Sequence, residues 1–88
     1  MKALLFASAK DLKSKSQDIS ELKKNLSISG IQIEEVDIDS FNGSDRATNY
    51  DLMSFPSLVA VREDGIVQNV WQGELPDYTT ITQAVGHI

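Results

Sequence analysis

The sequence predicts an α/β fold: one four-stranded mixed sheet with helices on both faces, its elements in the order β-α-β-α-β-β-α. Three observations predict it. Short apolar runs start near Lys2, Ile31, Leu58 and Ile66, helical apolar spacing fills the interval between the first two and closes the chain, and Asp64-Gly65 marks a hairpin between the last two. The chain has 88 residues, 41% hydrophobic and 24% charged, with two prolines and five glycines. That length suits a single domain over residues 1–88, and the composition excludes disordered, collagenous and membrane-spanning classes.

Lys2 to Ala7 is a nearly continuous apolar run that Lys10 and Asp11 soon interrupt, which suits a strand buried on both faces. From Asp11 to Leu26 the apolar residues thin to Leu12, Ile19, Leu22 and Leu26, a stripe along one side of a helix. Ser14 with Gln17, or Asp18 with Glu21, supplies a capping box, and Gly30 ends the segment. Ile31 to Ile38 is a second strand whose apolar phase switches from Ile31 and Ile33 to Val36 and Ile38; burial on both faces or a bulge would produce that switch. Asp39 to Asp45 reads as a turn around Asn42-Gly43, with Ser44 or Asp45 capping a short helix that carries Ala47 and Tyr50 and ends near Asp51. Pro56 excludes a helix at Phe55 and opens a strand through Leu58-Val59-Ala60-Val61. Ile66 to Gln72 pairs with it across the hairpin, Gly73 closes the pair, and Asp77 caps a last helix bearing Tyr78, Ile81, Val85 and Ile88.

Charge narrows the function classes. The net charge of -5 opposes nucleic-acid binding, which needs a basic footprint. All six lysines fall within the first 24 residues, giving +3 there and -8 for the remainder. These lysines suit the wet face of a helix, or contact with an anionic partner. Met1-Lys2 and the following apolar run mimic a signal peptide, but five apolar residues are too few for one, so the expectation is a cytoplasmic protein without membrane contact. No cysteine occurs, which removes disulfides, Cys-ligated zinc and thiol chemistry.

Leu5-Phe6-Ala7 closing the first strand, Val36-Asp37-Ile38-Asp39 closing the second, Phe55-Pro56-Ser57-Leu58, Asp64-Gly65 and Gly73 together resemble the thioredoxin family over nearly the whole chain. Alignment without a gap from Leu5 to Asp39 sets Lys10-Asp11-Leu12-Lys13 where that family carries its Cys-x-x-Cys site, and Leu4 where thioredoxins commonly bury an acid. The resemblance implies a thioredoxin-like fold that lacks the redox site, with a cis bond before Pro56 and the backbone of Phe55 displayed to an extended peptide. It also makes the chain a non-catalytic binder of a protein or peptide, through the proline loop and the start of the first helix. Lys10, Lys13, Phe55, Pro56 and Trp71 are the candidate contacts. No cofactor is implied; the partner's identity and the oligomeric state stay open.

Other residues weigh less. Glu34, Glu35, Asp37 and Asp39 alternate along a strand and its exit, which suits solvated carboxylates better than a metal site. Ser8, Ser14 and Ser16 read as loop and cap residues, since no base or oxyanion hole accompanies them. His87 lies beside the carboxy terminus and reads as a surface residue. Tyr50, Phe55, Trp71 and Tyr78 form either core or an aromatic patch. Two alternatives remain: a glutathione-dependent transferase-like domain, for which Glu74 offers only half of the usual acid-serine pair, and an assembly subunit that self-associates through a sheet edge.

Overall fold

Five consecutive buried residues, Ala3–Ala7, make β1 (Lys2–Ala7) the strand around which the rest of the chain packs. The computed structural model describes residues 1–85, so the expectations placed on His87 and Ile88 lie outside the described residues. β1 has a neighbour on each side: β2 (Gln32–Asp37), parallel, and β3 (Ser57–Val61), antiparallel. β4 (Val67–Gln72) pairs antiparallel with β3, and the sheet order is β2-β1-β3-β4.

Alternation along β1 divides the interior. Ala3 and Leu5 join Leu58 and Ala60 in a cluster covered by helices, while Leu4, Phe6 and Val59 face the other way, toward Ala47 and Leu52. The phase switch in β2 has the same origin. Ile31 and Ile33 serve the first cluster and Val36 and Ile38 the second, and the pairing with β1 runs without a register shift, so β2 is covered on both faces and has no bulge.

The first helical region is longer than its apolar stripe and broken. Ser8 caps α1 (Ala9–Ser14) by accepting from the Asp11 amide at 3.1 Å, and α2 (Ser16–Ile28) follows after a break at Lys15. The spacing predicts one helix from Asp11; the difference arises because a cap before Asp11 serves polar residues that carry no stripe. α2 buries Ile19, Leu22 and Leu26 against the first cluster. Its end is a Schellman motif: Gly30 takes φ +80°, its amide reaches Ser27 O, and Ile31 N donates to Leu26 O at 2.9 Å.

α3 (Phe41–Asn49) starts before the expected cap. Ser40, not Ser44 or Asp45, is the N-cap, and Asn42-Gly43 lies inside the helix instead of forming a turn. Gly43 is needed for packing: a Cβ there would overlap the main-chain carbonyl of Asp37. α3 ends in a second Schellman motif, Asp51 N to Thr48 O and Leu52 N to Ala47 O, with Asp51 in the left-handed region at φ +57°. The Tyr50 ring meets Phe6 edge-on, with centroids 5.9 Å apart.

Between β3 and β4 the register slips past Gln68, a bulge in the edge strand. Antiparallel alternation turns the Val70 amide outward, and Asn69 Oδ1 accepts it at 2.9 Å. Bulge and side chain together blunt this open edge. α4 (Tyr78–Val85) buries Ile81 and Val85 in the first cluster beside α2, so helices cover both faces as expected, α2 and α4 on one and α3 on the other. No helix among the described residues is long and apolar enough to cross a membrane.

Candidate functional site

One end of the sheet gathers four chain segments: the exits of β1, β2 and β4 and the entry to β3. Hydrogen bonds join them. Asp39, just past β2, accepts from the Ala9 amide at 3.1 Å and so ties the β2 exit to the start of α1. Gln72 Oε1, at the end of β4, accepts from Met53 N at 2.8 Å, and Pro56 O accepts from Gly73 N at 3.0 Å. α3 spans this end from Phe41, near the β2 exit, to the loop that Gln72 holds. Nine helical residues measure about 13 Å, close to the roughly 14 Å between outer strands of a four-stranded sheet.

The Phe55–Pro56 bond is cis and Pro56 is buried. Ser57 is the one fully buried polar residue among the described residues; its hydroxyl donates to Ser54 O, which closes the loop on itself. Phe55 is half-buried against the cluster of Leu4 and Phe6. Its amide and carbonyl make no hydrogen bond among the described residues, nor does the Ser54 amide, while Met53 N, Ser54 O and Pro56 O are engaged.

Extending the pairing of Phe6 with Ser57 by one residue sets Pro56 opposite Ala7, two residues before α1 begins. Lys10 is the second residue of α1 and Lys13 lies in its last turn; both are exposed and neither is in an ion pair among the described residues. Lys10, Lys13, Phe55 and Pro56 thus share one end of the molecule. Trp71 does not join Phe55: it is half-buried against the first cluster, on the α2 and α4 face, with Leu12 and Leu75 packed on the same cluster. The sheet separates the two rings, so they do not form one aromatic patch.

Two residues at this end escape the sequence reading. Phe41 and Met53 are each 87% exposed, the most exposed large apolar side chains described. The available signal was negative: neither shares the stripe of Gly43, Ala47 and Tyr50 that α3 turns inward.

The carboxylates on and after β2 each have a partner. Glu34 takes Arg46 at 2.6 Å and Lys2 at 3.1 Å, and Glu35 takes Lys23 at 3.1 Å. Asp37 Oδ1 accepts from Asp39 N at 2.8 Å. The Arg46 guanidinium, then the Lys2 ammonium, hold the Glu34 carboxyl below its usual range. Among the described residues no three acids or histidines converge as a metal site would need.

Sheet order, parallel β1–β2 pair, antiparallel β3–β4 pair and the proline at the head of β3 can be compared as a whole with solved structures. Thioredoxin 1 of the thermophilic eubacterium Thermosipho africanus superposes with a TM-score of 0.68 at 15% identity, covering 98% of this chain and 91% of its own. The fold is thioredoxin-like. A malarial protein is similar to this thioredoxin-like chain to the same degree, with a TM-score of 0.71 at 15% identity over 97% of this chain and 92% of that one. No family model and no curated protein sequence matches the chain. At such identity the likeness establishes the thioredoxin-like backbone and no more.

Proposed function

We propose that this chain is a non-catalytic thioredoxin-like domain that binds a protein or peptide partner through its proline loop and the start of its first helix. The observation that carries the reading is the free main chain of Phe55, set between the engaged carbonyls of Ser54 and Pro56 and held at the rim by the buried Pro56. An extended segment beside it would gain two main-chain hydrogen bonds, each worth about 1 kcal/mol net. Covering Phe41 and Met53 would add roughly 2 kcal/mol apiece. Set against an association cost of at least about 4 kcal/mol, these gains leave about 2 kcal/mol, so these contacts alone support binding weaker than millimolar and a captured partner must add contacts along the rim. Lys10 and Lys13 supply cations beside the loop. Trp71 lies across the sheet from Phe55, on the face where Leu12 of α1 packs, so it adds nothing to the contact at Phe55.

The non-catalytic part is supported by what the hydroxyls at the rim already do. Ser8 Oγ accepts from Asp11 N as a helix cap and Ser57 Oγ donates to Ser54 O as a loop closure, and neither hydroxyl hydrogen-bonds to a carboxylate or histidine among the described residues. The test is affinity capture with the wild type beside a Phe55→Asp, Lys10→Glu double variant, both confirmed folded by circular dichroism. Partners retained by the wild type should fall at least about tenfold on the variant. Equal retention refutes the surface, and saturable amide shifts around Phe55 and Glu74 on adding glutathione would favour a transferase instead.

A further inference from the structure

We infer that the groove between α2 and the β4–α4 connection is a second docking surface, for an extended segment of a partner protein that carries lysine or arginine on both sides of an apolar side chain. The groove encloses about 380 Å³. Its base is apolar, built from Leu22 of α2 and from Leu75 and Pro76 of the connection. The Tyr78 ring stands at its side, tied through its hydroxyl to Ser29 Oγ at 2.8 Å, so α2 and α4 fix its position jointly.

Charge specifies the occupant. Asp18 and Glu21, one helical turn apart, line the α2 side, and Glu74 and Asp77 line the other, against one cation, Lys15. None of these four carboxylates is in an ion pair among the described residues, whereas Glu34, Glu35, Glu63 and Asp64 each are; of the four, Asp77 accepts from Thr80 N at 2.8 Å as the cap of α4. Four like charges around a concave apolar surface repel one another and focus a negative potential into it. A segment with an apolar side chain for the base and a cation for each wall would relieve that repulsion, while a neutral or acidic one would not. This surface lies on the α2 and α4 face, whereas Phe55 packs toward α3, so the inference stands apart from the proline-loop reading.

The experiment is a selection of displayed random dodecapeptides on the wild-type chain, followed by synthesis and titration of the enriched sequences. Lysine or arginine flanking an apolar residue should be enriched. Affinity should fall about tenfold or more for Glu21→Lys, Glu74→Lys, and hold within about twofold for Asp45→Lys, Glu63→Lys, which changes net charge equally at exposed positions outside the groove. Amide shifts should center on Leu22, Leu75 and Tyr78. Enrichment of acidic or uncharged peptides, or no enrichment, overturns the inference. Equal loss in both double variants also overturns it, since the general field would then be responsible. Concentration-dependent mass in sedimentation that Glu21→Lys, Glu74→Lys abolishes would name a second copy as the occupant and overturn it too.

Discussion

Replacing Gly43 with alanine sets two effects of opposite sign against each other. Alanine in a helix interior is favoured over glycine by about 1 kcal/mol. Against that, the new methyl would overlap the Asp37 carbonyl and lie 2.8 Å from Ser40 Oγ. Main chain cannot yield as a flexible side chain does, so α3 must move away from the β2 exit. Overpacking of this kind costs about 1–3 kcal/mol. The shift also breaks the cap, in which Ser40 Oγ donates to Asp37 O at 2.6 Å and accepts from Gly43 N at 3.0 Å, and losing a cap costs about 1 kcal/mol more. The net is about 2 kcal/mol of destabilisation, which in a domain this small lowers Tm by roughly 10 °C. Urea and thermal unfolding followed by circular dichroism would read it. Because Asp39 anchors the Ala9 amide from the same turn, the Ala9 resonance should shift as well. A Gly43→Ala variant as stable as the wild type, or more so, would refute the close-approach argument.

Asp51→Gly should raise stability by about 0.5 kcal/mol: removing a side chain from the left-handed region relieves roughly 1 kcal/mol, and the added freedom of the unfolded chain returns about half. Gly30→Ala, at φ +80°, should lower it by about 1 kcal/mol, and urea midpoints of the pair test both signs. Because the folded state depresses the Glu34 pKa below its ordinary 4.5, the Arg46–Glu34–Lys2 contribution is complete above that pH and is lost as pH falls through the lower folded value. With the Glu34 side chain 38% exposed, solvent screening keeps it under about 1 kcal/mol, and Arg46→Ala should flatten the acid limb of a stability-pH profile. Asn69→Ala should free the Val70 amide at the sheet edge and increase self-association in sedimentation at high concentration, leaving the monomer's melting nearly unchanged.

Element type was legible wherever burial imposed a period. β1, β3 and the α2 stripe are set by apolar residues, and Gly30 by the backbone conformation that only glycine adopts without strain. The boundaries that went astray were set by single polar contacts. The sequence offers Ser44 or Asp45 as the cap, but Ser40 takes the role, fixed by its hydrogen bond to the carbonyl of Asp37, six residues before Gly43. Likewise the Asn42-Gly43 pair has turn chemistry, but packing against β2 holds it in a helix. In the candidate site, strand order alone brings the β1 exit, and with it the start of α1, beside the β3 entry. Trp71 lies at the same end on the opposite face from Phe55, and that side depends on the β3–β4 register, which the hairpin sequence leaves undetermined once a bulge enters at Gln68.

The rim formed by the strand ends is braced without covalent cross-links, and its only sulfur is the thioether of Met53, with Met1 at the far end of β1. Thiol reductants therefore have nothing to act on there. A peroxide does: donating an oxygen to that exposed side chain and leaving as water or alcohol, it would turn an oily contact into a polar one, so handling in air becomes a variable in any affinity measured at this end.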